Sequence, residues 1–136
     1  MSQERYPVLW IGQVAVVTLP VEIDVTNADT IGDELFAVLN QSAALLVADM
    51  SKTNFCDSSG VSALVRAFRR ADASGQAMRF VVSTPAVQRV LSITGVDRLV
   101  RVYPSVAASL GDDPSGQVDQ ARPDGATAKA DTDGGA

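Results

Sequence analysis

Histidine is absent from this sequence of 136 residues, and cysteine occurs once, as Cys56. Without histidine, a Ser-His-Asp triad cannot form. A single cysteine allows neither an internal disulfide nor a metal site built from a cluster of cysteine and histidine. The sequence also lacks both common types of glycine-rich phosphate loop. We therefore predict that the protein is not an enzyme, with no catalytic residues, no metal site and no cofactor.

Long apolar runs are missing as well. None approaches the roughly 18 residues of a membrane-spanning helix. The N-terminal stretch MSQERYPVLW also lacks the basic and then apolar layout of a signal peptide. The net charge of −5 argues against direct nucleic-acid binding. Together with the single cysteine, these features predict a cytoplasmic protein that contacts neither membrane nor nucleic acid.

The negative charge is concentrated at the C-terminal end. Residues 111–136 contain six Asp against Arg122 and Lys129, so they hold −4 of the net charge of −5. Val118 is the only sizeable apolar side chain in this segment. Burial of so little apolar surface cannot offset the entropy lost on ordering a chain. We predict a folded domain over residues 5–110 and a disordered acidic tail, rich in Gly, Ala and Asp, over residues 111–136.

Strand-like and helix-like patterns alternate within residues 5–110. Two short β-rich runs separated near Gly12 and Gln13 predict a hairpin. Apolar residues spaced three or four apart then predict helices in TNADTIGDELFAVLNQ, GVSALVRAFRRADASG and TPAVQRVLSITGV. Between and after them, AALLVADM, AMRFVVS and LVRVY read as strands, and SVAASL as a last helical turn. This alternation predicts an α/β fold with a largely parallel sheet.

Polar residues gather at two strand-to-helix junctions. Glu22 and Asp24 precede the first helix, and residues 57–60, with the sequence DSSG, precede the second. Functional groups collect at the carboxyl ends of parallel strands, so we expect Asp24 near residues 57–60. The two serines have two interpretations. They cap the helix and do nothing more, or one of them accepts a phosphate, because a helix amino terminus offers unpaired N–H groups.

The run from about Val14 to Leu110 resembles a STAS domain of the bacterial anti-sigma factor antagonist type. The matching pieces are VEID before the first helix, LLVADMSKTNFCDSSGVSAL, and TPAVQRVLSITGVDRLVRVYPSVAASL. The resemblance implies a STAS-type fold: a mixed, largely parallel sheet of about four to five strands backed by about four helices. It also implies that the domain has no catalytic activity.

The function implied by the resemblance is partner switching. The family's phospho-acceptor directly follows the Asp of this block, which places it at Ser58. A serine-kinase anti-sigma factor would phosphorylate that residue, and a phosphatase would restore it. The unphosphorylated chain would bind the anti-sigma factor and free the sigma factor. The expected partner surface comprises Glu22, Asp24, Asp57, Ser58, Ser59 and Gly60.

Three expectations accompany this resemblance. Pro20 and Val21 stand where the family usually has Gly before Glu-x-Asp, which predicts a stiffer loop. Cys56 is either a redox handle or a small buried hydrophobic residue. Ser59, one step deeper into the helix start than Ser58, is expected to cap the helix.

A second function stays open beside partner switching. A STAS-like module that no kinase phosphorylates would bind a nucleotide or another ligand, or act through constitutive contacts.

Overall fold

The computed structural model describes residues 6–111, and all that follows refers to them. The predicted tail lies outside the described residues except for Gly111. In chain order the strands are β1 (Val8–Ile11), β2 (Val14–Thr18), β3 (Glu22–Ile23), β4 (Leu45–Met50), β5 (Phe55–Cys56), β6 (Ala77–Val82) and β7 (Arg101–Tyr103). The helices are α1 (Ala28–Asn40), α2 (Ser58–Ala73), α3 (Pro85–Thr94) and α4 (Val106–Leu110), with one 3-10 turn at Val96–Arg98.

A five-stranded mixed sheet in the order β1-β2-β4-β6-β7 forms the centre of the domain. β1 and β2 are antiparallel and turn at Gly12, whose φ of 61° suits glycine. The remaining neighbours are parallel. β4 lies between β2 and β6 and is buried on both faces apart from Asp49, which explains its continuous apolar run.

Apolar side chains fill both faces of this sheet. The larger core lies between the sheet and α1, α2 and α3, and Leu35, Leu64 and Leu91 of these helices are fully or almost fully buried in it. On the opposite face a smaller cluster contains Val16 and Val47, with Val106 of α4 packed against it. The helix-spaced apolar residues of the sequence therefore point to the first face, as their periodicity predicts.

The predicted fold is confirmed: an α/β domain with a mixed, largely parallel sheet and four helices. Two short strands escaped sequence analysis. β3 and β5 have two residues each and pair in parallel as a separate small sheet. Two residues are too few to show a strand periodicity. No helix within residues 6–111 is long and apolar enough to cross a membrane.

Candidate functional site

The small sheet brings the two polar junctions together. Glu22 of β3 lies opposite Phe55 of β5, and Ile23 lies opposite Cys56. Alternation along each strand buries Ile23 and Cys56 and leaves Glu22 and Phe55 exposed. Directly beyond this pair, the Asp57 N–H donates to the Ile23 carbonyl at 3.1 Å. The backbone before Asp24 is therefore hydrogen-bonded to the start of the DSSG block.

Asp57 caps α2. Its backbone is extended, and its Oδ1 accepts the N–H groups of Ser59 at 2.9 Å and Gly60 at 3.1 Å. The Asp57 carbonyl accepts the Val61 N–H at 3.0 Å, the first bond within the helix. The expectation that Ser59 is the cap is wrong. α2 begins at Ser58, so Asp57 occupies the capping position and satisfies two of the N–H groups that a helix start leaves unpaired.

Ser58 is exposed at the first position of α2, whereas Ser59 is half-buried and Gly60 is buried. The Ser58 hydroxyl makes no hydrogen bond to another described residue. Because the side chain is also exposed, a reacting group can reach this hydroxyl. Both serines suit a helix start by sequence. The difference in exposure is what distinguishes Ser58 from Ser59 as a possible phosphate acceptor.

Asp24 carries a carboxylate held by its own loop. Its Oδ1 accepts the Thr26 hydroxyl and the Thr26 N–H, the latter at 2.9 Å. These two hydrogen bonds, the side-chain one foremost, lower the pKa of Asp24 from its usual value. The carboxylate, already charged at neutral pH, therefore stays charged to a lower pH than that of an ordinary Asp. Its small contribution to stability is lost only when the pH falls through that lowered pKa.

Asn27 supports the same loop, residues 22–27, which we call the acidic loop because it carries Glu22 and Asp24. Its Nδ2 donates to the Glu22 carbonyl at 2.8 Å, and its Oδ1 accepts the Asp24 N–H at 3.0 Å. Asn27 precedes α1 but makes no side-chain cap there. An Asn directly before a helix can bond either to the helix start or to the turn behind it, so its place in the sequence does not decide between the two. Here it fixes the backbone on both sides of Ile23.

Two threonine hydroxyls brace the loop before β5. Thr53 is fully buried, and its hydroxyl donates to the Pro20 carbonyl at 2.7 Å. The Thr84 hydroxyl donates to the Thr53 carbonyl at 2.8 Å. Their partners lie 33 and 31 residues away along the chain, so no local pattern announces these bonds. They join the loops that follow β2, β4 and β6.

Exposed apolar side chains surround the acidic loop. Val21 and Val25 flank Glu22 and Asp24, and Phe55 lies opposite Glu22; they are 48%, 73% and 49% exposed. Large apolar side chains exposed in a group beside charges are typical of protein-binding surfaces. The site therefore presents an accessible serine, two nearby acidic residues and an apolar surface.

The comparison with known families agrees with this arrangement. The model of the STAS domain family matches residues 7–109. The chain belongs to the STAS domain family.

Solved structures of several STAS domain proteins share the fold. An anti-sigma factor antagonist from Mycobacterium paratuberculosis is 27% identical over 78% of this chain and 90% of its own, with a TM-score of 0.72. An anti-sigma-factor antagonist (STAS) domain protein from Planctomyces limnophilus is 20% identical over 80% and 97%, with a TM-score of 0.71.

The anti-sigma factor antagonist SpoIIAA in its unphosphorylated form is 18% identical over 84% of this chain and 99% of its own, with a TM-score of 0.68. SpoIIAA, a Bacillus cell fate determinant, has also been solved in the phosphorylated form. The TM-scores establish the shared fold, and at identities this low the likeness shows the fold alone.

Cys56 of this STAS domain is a buried hydrophobic residue, the second of its two interpretations. It is 3% exposed. Burial, and secondarily the charge of Asp57, raises the pKa of its thiol to about 11. At neutral pH the thiol is therefore protonated and poorly reactive.

Two further features of the described residues concern metal and ligand binding. Residues 6–111 contain no group of three or more Cys, Asp or Glu side chains that could hold a metal ion. A cavity of about 420 Å³ lies at the C-terminal ends of α1 and α2, where Asn40, Arg70 and Gln76 line it. None of its lining residues belongs to the acidic loop or to residues 57–60.

The capping assignment predicts unequal effects of two neighbouring substitutions. Asp57→Ala should lower the free energy of unfolding by about 0.5–2 kcal/mol, because two N–H groups lose their acceptor. Ser59→Ala should change it by less than about 0.5 kcal/mol, since the Ser59 side chain does not cap. Urea unfolding of both variants measures the difference. A larger loss for Ser59→Ala would contradict the observed cap.

Proposed function

We propose that this STAS domain is an anti-sigma factor antagonist that is switched off by phosphorylation of Ser58. The unphosphorylated chain binds a serine-kinase anti-sigma factor and releases its sigma factor. The observation that carries the proposal is the exposed, unbonded Ser58 hydroxyl at the start of α2, beside the acidic loop. The antagonist described from Mycobacterium paratuberculosis and the two solved forms of SpoIIAA support this assignment.

The chain supplies the nucleophile and the partner supplies the catalysis in this proposal. The Ser58 Oγ bonds to the γ-phosphorus of ATP held by the kinase as the bond between the γ-phosphorus and its bridging oxygen breaks. ADP leaves, and the hydroxyl proton passes to a base of the kinase. The domain contributes no catalytic residue, and its task is to present Ser58 at a fixed place. A phosphatase restores the hydroxyl.

The partner surface in this proposal combines acidic and apolar side chains. Glu22, Asp24, Asp57 and Ser59 share this surface with the acceptor Ser58, and Val25 and Phe55 supply exposed apolar area. Gly60 is buried, so it supports the surface from below and is not itself available to a partner. Apolar side chains at the centre of an interface contribute most of the affinity, whereas rim charges set the rate and specificity of association. An anti-sigma factor that covers Ser58 would therefore bury Phe55 and meet the carboxylates at the rim.

Phosphorylation would act on binding more than on folding. The helix start has little left to offer a phosphate, because Asp57 already accepts the Ser59 and Gly60 N–H groups. A dianion ~5 Å from one carboxylate is repelled by roughly 1.7 kcal/mol in water, and by more where water is excluded. A domain stable by about 5–15 kcal/mol tolerates this repulsion. An interface closed over Ser58 loses about tenfold in affinity for each ~1.4 kcal/mol.

We place this exchange in the cytoplasm, where a kinase-type anti-sigma factor has access to ATP. In the proposal the domain acts on transcription only through that partner and contacts neither nucleic acid nor membrane itself.

The test is phosphate transfer in a purified system. The full chain is incubated with ATP and the kinase-type anti-sigma factor of the same cell, and the phosphate is mapped by mass spectrometry. We expect one phosphoryl group on Ser58, tight binding of the unmodified chain and loss of binding after transfer. Absence of transfer, with binding to that factor unchanged, would favour the constitutive interaction module instead.

Asp24→Asn separates charge from structure at the acidic loop. The Asn side chain keeps an Oδ1 that can accept from Thr26, so unfolding in urea should be unchanged within about 0.5 kcal/mol. Loss of the charge beside the acceptor should change the association rate or the phosphorylation rate by roughly three- to tenfold. Asp72→Asn, an exposed position near the far end of α2, is the matched control and should change neither rate. Unchanged rates for Asp24→Asn would remove Asp24 from the partner surface.

A further inference from the structure

One edge of the main sheet is formed by β1, a short apolar strand. β1 pairs with β2 on one side and has no neighbour on the other among the described residues. Its sequence is VLWI, with no charged residue, proline or bulge. Natural proteins commonly protect edge strands with such features, because an unprotected edge pairs with other chains.

The hydrogen-bond alternation of the hairpin shows which backbone groups face outward. The Thr18 N–H donates to the Pro7 carbonyl at 2.9 Å, so Pro7 and Thr18 form a hydrogen-bonded pair. Antiparallel pairs alternate between bonded and non-bonded. Leu9 therefore bonds to β2, and the N–H and carbonyl groups of Val8 and Trp10 point away from the sheet.

The side chains along this edge are exposed on both faces of the sheet. Leu9 lies opposite Val16, on the face that α4 partly covers, and is 60% exposed. Trp10 lies opposite Ala15, on the face of the larger core, and is 38% exposed. Ile11 shares the face of Leu9 and is 47% exposed. The edge therefore offers both unpaired backbone groups and apolar side chains.

We propose that β1 pairs antiparallel with β1 of a second copy of this chain, joining two five-stranded sheets across a two-fold axis. The outward groups of Val8 face those of Trp10 in the other copy when Leu9 lies on the axis. Every outward N–H and carbonyl of these two residues then finds a reciprocal partner. The two Leu9 side chains meet as a non-hydrogen-bonded pair, where side chains are closest.

A second copy suits this edge better than an unrelated strand does. A two-fold contact pairs each exposed edge with an identical one, so both copies lose their unpaired groups together. β1 has no charged side chain with which to select the sequence of a different peptide. The paired segment is short, so the buried area falls below the ~1,200 Å² of stable complexes, and the dimer should be weak and reversible. This inference goes beyond partner switching and does not depend on it.

Trp10 provides a built-in probe, because it is the only tryptophan of the sequence and lies in the contact. Raising the concentration of the full chain should shift its fluorescence to shorter wavelength and reduce quenching by acrylamide. Sedimentation equilibrium should show dimers over the same range. A chain that stays monomeric at all accessible concentrations, with unchanged Trp10 emission, overturns the proposal. Burial of Trp10 by a different protein would not rescue it, because the proposed occupant of the edge is a second copy.

Two pairs of variants test the interface and its register. Leu9→Lys places two like charges opposite each other and should abolish the dimer, whereas Ile93→Lys, at an equally apolar and 76% exposed position of α3, should not. Unchanged circular dichroism confirms that both fold.

The register is tested by oxidation. Leu9→Cys should form a disulfide-linked dimer rapidly with oxidised glutathione. The Cα atoms of facing residues in a non-hydrogen-bonded pair lie ~4.5 Å apart, which is within the ~4.4–6.8 Å between the Cα atoms of a disulfide. Ile11→Cys on the same face should cross-link far more slowly, and the buried Cys56 should not interfere. Equal or faster cross-linking of Ile11→Cys overturns the register centred on Leu9.

Discussion

Ser58→Ala is expected to bind the anti-sigma factor as the parent chain does and to accept no phosphate. The side chain is exposed and makes no hydrogen bond to another described residue, so its loss removes the nucleophile without removing a contact of the fold. The cap of α2 is supplied by Asp57 and stays in place. A chain that binds and cannot be switched off should keep the sigma factor free as long as it is present.

Ser58→Asp is expected to fold normally and to bind at least about tenfold more weakly. A single carboxylate at this place adds charge beside Asp57, though less charge than a phosphate. In the free chain water screens this repulsion to roughly 0.8 kcal/mol for like charges ~5 Å apart, which the fold tolerates. Under a closed interface, at an effective dielectric of ~20, the same pair is repelled by roughly 3 kcal/mol, so binding should lose at least about tenfold, or about 1.4 kcal/mol. Calorimetric titration with the anti-sigma factor measures both variants.

The matched control is Ser74→Asp, which adds the same charge at the other end of α2. Ser74 is exposed and follows the last residue of the helix. It should leave binding within about twofold of the parent and cost at most about 1 kcal/mol of stability from the helix dipole. Equal weakening by both Asp variants would mean that net charge, and not the place of the charge, controls binding. Phosphate mapped to Ser59 in the parent would move the acceptor by one residue.

The sequence was most informative where apolar periodicity is long. The helices over Ala28–Asn40 and Ser58–Ala73 each span several turns, and their spacing repeats often enough to identify the buried face. The strand Leu45–Met50 was recognisable as central because both its faces are apolar. These elements define the fold, since a largely parallel sheet needs helical crossovers between its strands.

The details that build the site follow from contacts between distant segments, which a single sequence does not display. β3 and β5 are stable only as a pair, because each alone has two residues. Thr53 looks like any loop threonine until its partner Pro20 is known. Asp57 and Ser59 are both good capping residues, and the choice between them depends on where the helix begins. The prediction of Ser58 therefore rested on family resemblance, whereas the identity of the cap required the structure.

Gly60 shows how close packing positions the acceptor. A Cβ added to Gly60 would lie 2.5 Å from the Ile23 Cγ2 and 2.7 Å from the Cys56 Sγ. These side chains belong to β3 and β5. The first turn of α2 therefore lies so close to the small sheet that a residue with a side chain at position 60 would not fit. This contact joins the acidic loop, the cap and Ser58 into one unit.

Gly60→Ala is therefore expected to destabilise the domain by about 1–3 kcal/mol, the usual cost of an overpacked core. The first turn of α2 must move away from Ile23, which displaces Asp57 and Ser58, so phosphate transfer should slow as well. Urea unfolding and the transfer rate, measured on the same protein, test the two effects.

Gly32→Ala in α1 is the matched control with the opposite expected sign. Gly32 is also buried within a helix, but an added Cβ would meet only Ala63 and Arg66, both at an ordinary 3.8 Å. Alanine is a better helix former than glycine, so this variant should gain up to about 1 kcal/mol and leave transfer unchanged. If both variants gain stability, the close approach at Gly60 does not hold the helix start. If both lose it, the loss at Gly60 cannot be attributed to contact with the small sheet.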